Sequence, residues 1–121
     1  MDETKLFALR AAICTENTEA AIQRRVAELY DEVLAANNLR EEGIVSLIFS
    51  ITSDLDALNP AAALRRSGRG ADLALFSVAE PEIKGALGSV IRLLIHCYLP
   101  VGTEPRHLYR NGAEVLRPDR K

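Results

Sequence analysis

The chain has 121 residues, 48% of them hydrophobic and 26% charged, with a formal net charge of −2. That length fits a single domain spanning residues 1–121, large enough to bury a core without a disulfide or a structural metal. Trp is absent, and no basic cluster exceeds Arg65-Arg66 with Arg69. The balance therefore argues against nucleic acid or an anionic membrane as a partner. No apolar run approaches the roughly 20 residues of a membrane span, and the N-terminus is acidic and polar rather than signal-like. A cytoplasmic protein is expected, with Cys14 and Cys97 as reduced, buried thiols.

Lys5 to Ile13 is short and apolar, with Arg10 set inside it, and reads as a strand. Polar Thr15 to Thr18 can cap a helix that starts after them. Ile22, Val26, Leu29, Tyr30, Val33 and Leu34 recur at helical spacing, predicting an amphipathic helix that ends near Asn37-Asn38. Ile44 to Thr52 is rich in β-branched residues and predicts a buried strand. Pro60 suits the first turn of a short Ala-rich helix that Gly68 and Gly70 terminate. Ala71 to Ala79 predicts another strand, followed by a loop holding Glu80, Pro81, Gly85 and Gly88. Val90 to Leu99 is a long strand, Pro100 to Pro105 breaks the chain, and short strands are expected around 107–109 and 114–116. This order predicts an α+β domain, a mixed β-sheet with one long and one short helix packed on one face. The opposite, apolar face is left to pack on further copies of the chain.

In the long strand, period-two alternation puts Val90, Arg92, Leu94, His96 and Tyr98 on one side. A guanidinium there either pairs with a carboxylate such as Glu80 or Glu82, or waits for an anion. The spacing weighs the two evenly. Arg10 poses the same question, and two strand-borne arginines favour a carboxylate ligand, which a guanidinium fork grips well. His96 reads as a satisfied core or interface residue. The two His and two Cys have no metal-ligand spacing, and the glycines form no phosphate loop.

The closing Arg106-His107-Leu108-Tyr109, followed by Val115-Leu116-Arg117-Pro118-Asp119, resembles the C-terminal signature of the small trimeric bacterial chorismate mutases. So do the early strand with its arginine, Thr18 opening the long helix, and Ser50-Ile51-Thr52-Ser53-Asp54-Leu55 before a proline. Glu80 with Gly85, Ile91 and Arg92 at fixed distances fits the same family. The resemblance covers Leu6 to about Asp119.

The resemblance implies a trimeric pseudo-α/β-barrel that rearranges chorismate to prephenate, in phenylalanine and tyrosine biosynthesis, with no cofactor and no metal. Sites would lie at the subunit interfaces of the homotrimer. By resemblance, Arg10 grips the enolpyruvyl carboxylate and Tyr109 contacts it through its hydroxyl. Arg92 faces the ether oxygen, and Glu80 accepts the ring hydroxyl. Arg65 is lent by the neighbouring subunit, as are Asn59, Ala61 and Ala62, in the segment that covers the pocket. Leu75, Phe76 and Ser77 line it, and Leu116 and Arg117 form its C-terminal edge. The family commonly has an aromatic residue at the position of Asn59, a lysine at Ala62, a cysteine at Ser77, and glycines at Ala8 and Ala11. These departures imply weaker substrate binding, and two alternatives to the mutase stand beside it. One is a non-catalytic or altered-substrate homologue binding a chorismate-like dicarboxylate. The other is a trimeric imine deaminase, which lacks the closing signature.

Overall fold

The computed structural model describes residues 3–117, and its elements follow the expected order. Strand β1 (Thr4–Cys14) leads to helix α1 (Glu19–Ala36), then β2 (Ile44–Ile51), helix α2 (Pro60–Arg66), β3 (Leu75–Ala79), β4 (Val90–Pro100) and β5 (Leu108–Arg110). The strands form one mixed sheet in the order β3-β2-β4-β1-β5. β4 runs antiparallel to both β1 and β2, while the outer pairs β2–β3 and β1–β5 are parallel.

The helices start where capping side chains meet orphan backbone donors. Thr18 Oγ1 accepts from the Ala21 N–H at 3.0 Å and opens α1. Asn59 Oδ1 accepts from the Ala61 N–H at 2.9 Å, with Pro60 preset in the first turn of α2. The apolar stripe of α1, including Ile22, Val26, Leu29 and Val33, packs on Leu9, Leu47, Phe49, Leu93 and Ile95 of the sheet. Ala63 and Leu64 of α2 join the same core, so both helices cover one face. Burying a Leu or Ile side chain there stabilises the fold by about 1.5–3 kcal/mol each. Cys97 is buried in this core and Cys14 is half-buried; neither is in a disulfide. Burial raises both thiols above their ordinary value, with Glu114 adding to the effect at Cys14.

Two sequence expectations need correction. The strand expected from Ala71 begins only at Leu75, because Gly70 takes φ +69° and the chain turns, the Leu73 N–H donating to Gly70 O at 3.2 Å. The segment expected as a strand at 114–116 is a 3-10 turn over Ala113–Leu116. Asn111 (φ 51°) and Gly112 (φ 98°) reverse the chain in left-handed conformations, and Asn111 Nδ2 ties it to Cys14 O at 2.7 Å. A side chain at Gly112 would be strained at that φ. The turn therefore folds over the open face of the sheet, where Ala113 packs with Ala12, Val90 and Tyr109. Pro118 and Asp119, the end of the closing motif, lie outside the described residues.

The rest of that face is uncovered. Leu6, Phe76 and Tyr98 are each more than half exposed, with half-buried Ile48 and Leu94 between them.

Candidate active site

Strand register gathers the chemistry. Ala12 pairs with Arg92 on one side and with Tyr109 on the other, and Arg10 lies two residues before Ala12. Residues paired or two apart share a sheet face, so Arg10, Arg92 and Tyr109 all stand on the open face. They line a cavity of about 210 Å³ together with Ile48, Ser50, Leu94 and Arg117. The C-terminal turn forms one wall. His107, without assigned chemistry in the sequence, accepts the Arg10 backbone N–H through Nδ1 at 3.0 Å and so fixes β1 against the β5 approach.

Glu80 stands one residue past β3, with its N–H donating to Ile51 O at 3.0 Å; it lines a neighbouring cavity with Thr52 and Asp54 and reaches this one through Arg92 and Ser50. Its carboxylate meets Arg92, whose Nε lies 3.0 Å from Oε1. Ser50 Oγ donates to the same oxygen. The Arg92 side chain nevertheless keeps 47% of its surface exposed, against 18% for Glu80. The two possibilities weighed for Arg92 therefore coexist: it has a carboxylate partner and still presents charge to the cavity. Among the described residues no carboxylate pairs with Arg10, so Arg10 and Arg92 against one glutamate leave a net positive cavity suited to an anion.

A carboxylate outside the cavity sets up its base. Thr52 Oγ1 donates to Asp54 at 2.6 Å, and the Ser89 backbone and hydroxyl donate at 2.9–3.1 Å. These bonds, the Thr52 hydroxyl foremost, hold the Asp54 carboxyl below its ordinary value. Ser89 sits at φ 58°, an uncommon conformation for a non-glycine residue, held just before β4 begins. The Val90 N–H then donates to Thr52 Oγ1 at 3.0 Å, which fixes the start of the strand carrying Arg92.

The remaining predicted site residues divide between this open face and the side covered by the helices. Phe76 shares the open face, since it pairs with Ile48. Leu75 and Ser77 pair with Leu47 and Phe49 and face the helices. Ser77 Oγ donates to Asn59 Oδ1 at 2.8 Å, so the asparagine at the usual aromatic position caps α2 and anchors β3 at once. Ala61 is buried and Ala62 half-buried in α2, whose last turn carries exposed Arg65. That helix covers the face opposite Arg92, so Arg65 is separated from the cavity by the sheet. Leu116 packs beside the cavity with Tyr109 and Ala113, and Arg117 lines it. Ser50 is the site residue that sequence reasoning passed over. Its signal was available: it falls two residues after Ile48 in β2, in a motif quoted only for its family likeness.

Among the described residues no group of three or more His, Cys, Asp or Glu side chains is placed to hold a metal ion, and no helix is long and apolar enough to cross a membrane.

Comparison with known proteins identifies the family of this chain. Residues 6–120 match the family Chorismate mutase type I. The chain is 35% identical over 114 residues to a chorismate mutase AroH of Thermus thermophilus, covering 92% of this chain and 93% of that protein. It is 29% identical over 113 residues to the AroH of Bacillus subtilis (strain 168), covering 92% and 89%. A solved chorismate mutase from Clostridium thermocellum superposes with a TM-score of 0.82 at 34% identity, covering 90% of this chain and 98% of that one. The chain belongs to the type I chorismate mutases, isomerases that convert chorismate to prephenate.

Proposed function

We propose that the chain carries out this rearrangement as a homotrimer, with each site completed by a neighbouring subunit. The observation that carries the proposal is the register that puts Arg10, Arg92 and Tyr109 around one cavity with Glu80 paired to Arg92. The reaction is an intramolecular Claisen shift, so it needs no nucleophile, metal or cofactor. It needs a chair-like conformer and stabilisation of the charge that grows as the C–O bond breaks.

Arg10 and Tyr109 bind the enolpyruvyl carboxylate, and Glu80 accepts the ring hydroxyl. Together they hold the reactive conformer, an effect that can lower such a barrier by several kcal/mol. Arg92 faces the ether oxygen and stabilises its developing negative charge. One preorganised donor of this kind is typically worth about 2.7–4 kcal/mol. Leu116 and Arg117 close the C-terminal side.

Two features support the trimer. The open face that carries the cavity also exposes Leu6, Phe76 and Tyr98. Arg65, Ala61 and Ala62 of α2, its cap Asn59, and Leu75 and Ser77 of β3 face away from Arg92 of the same protomer. In a closed ring that α2–β3 edge meets the neighbour's cavity, where Arg65 lies near the ring carboxylate.

The test is direct. Purified protein is mixed with chorismate in the presence of a chelator, and loss of chorismate ultraviolet absorbance is followed while sedimentation reports the mass. Turnover by a trimer is expected. A stable monomer at micromolar concentration, or no turnover until a divalent ion is added, would refute the proposal.

A further inference from the structure

We infer that Ser50 is a positioning residue for this reaction: it holds Glu80 so that Arg92 keeps its outer edge for substrate. The inference rests on the proposed roles of Arg92 and Glu80 and deepens them.

Ser50 lies in β2, with Val78 of β3 paired on one side and Arg92 of β4 on the other. Glu80 follows Val78 by two residues and so emerges on the same face. The Ser50 hydroxyl thus rises between the two charged groups and donates to Glu80 Oε1, the oxygen that also meets Arg92 Nε at 3.0 Å. The Ser50 hydroxyl takes one lone pair of this oxygen, and the Arg92 charge stands beside it as an ion pair. No hydrogen bond to Oε2 is found among the described residues, which leaves Oε2 as the acceptor for a substrate hydroxyl.

The alternative arrangement is physically obvious. An unrestrained glutamate has three rotatable side-chain bonds and pairs best with arginine as a bidentate fork. Swinging onto that fork would cover guanidinium N–H groups that the ether oxygen must share. The serine hydroxyl hangs on one torsion from a central strand, so it is a stiff anchor against that swing.

The test combines crystallography with a double-mutant cycle on the full-length protein. Structures of wild type and Ser50→Ala should show the Glu80 carboxylate displaced in the variant. With chorismate, Ser50→Ala should lower kcat/KM by at least about tenfold, the ordinary weight of a hydrogen bond to a charged group, with kcat carrying most of the loss. Ser50→Thr, which keeps the hydroxyl, should restore most of it. In a Glu80→Ala background, Ser50→Ala should cost less than about twofold, because its only route to the reaction is gone. Sedimentation and melting on every variant report fold and assembly.

Three results would overturn the inference. One is a Ser50→Ala protein with kcat/KM close to that of wild type; another is an equal penalty in both backgrounds; the third is a Glu80 carboxylate unmoved in the Ser50→Ala crystals. Failure of the proposed function looks different: wild type would leave chorismate unchanged while Glu80 still moved on loss of the Ser50 hydroxyl.

Discussion

Arg92 of β4 and Glu80 at the end of β3 meet across the strand that separates them, Nε 3.0 Å from Oε1. The pair is too open to be a major prop of the fold, because an ion pair this exposed contributes about 0–1 kcal/mol. Glu80→Gln should therefore barely move the melting temperature while kcat/KM for chorismate falls by at least about tenfold. A variant that melts early and retains its rate per folded trimer would make the pair structural.

Leu6 of β1 pairs with Tyr98 of β4 on the uncovered face, and both are more than half exposed. A charge at Leu6 costs a protomer little but cannot be buried unpaired between subunits. Leu6→Glu should sediment as a monomer, folded by circular dichroism, with turnover lost. A trimeric, active Leu6→Glu protein would move the interface off this face.

Asp54 is bound by Thr52 and Ser89, and its carboxyl sits below the ordinary value of 3.8. A group depressed in the folded state stabilises it fully above the unfolded value and loses that contribution as pH falls through the folded one. The melting temperature of wild type should drop on acidification below about pH 4 more steeply than that of Asp54→Asn. Parallel curves for the two proteins would show that Asp54 carries no such linkage.

Most of the fold was legible because periodicity reports burial. The even-numbered face of β4 was read from Val90 to Tyr98, and the structure confirms Arg92, Leu94, His96 and Tyr98 as its more open side, with Ile91, Leu93, Ile95 and Cys97 buried. His96 is satisfied by Ser46, its Nδ1 lying 3.0 Å from Oγ, as a bland histidine should be. The C-terminal turn was misread because Val115 and Leu116 look strand-like, whereas two left-handed residues before them decide the chain's direction. Strand pairing was not legible at all: nothing local says that Ala12 lies between Arg92 and Tyr109. The family likeness supplied the candidate site residues, and the register shows how some of them come together while those of α2, with Leu75 and Ser77 of β3, turn away.

Ala62 stands one helical turn before Arg65 on α2, at the position where the family commonly has a lysine. Ala62→Lys should add a cation beside Arg65 and lower KM for chorismate more than it raises kcat, the pattern of uniform binding. Steady-state kinetics on the two proteins decides it. An unchanged or higher KM would mean that the neighbour's α2 does not face the substrate at that position.

Under the function we propose, the central step is stabilisation of the breaking ether bond by the Arg92 guanidinium. It is tested most directly by kcat of Arg92→Lys, measured on samples whose trimeric state and melting are checked in parallel. Lysine keeps the charge but presents a point donor on a flexible stem, so it cannot meet Glu80 and the ether oxygen together as a planar fork does. The expected result is a folded trimer whose kcat has fallen by roughly 100- to 1,000-fold, the weight of one transition-state donor. A folded, trimeric Arg92→Lys protein retaining more than about a tenth of wild-type kcat falls short of that donor penalty and would contradict this role for Arg92.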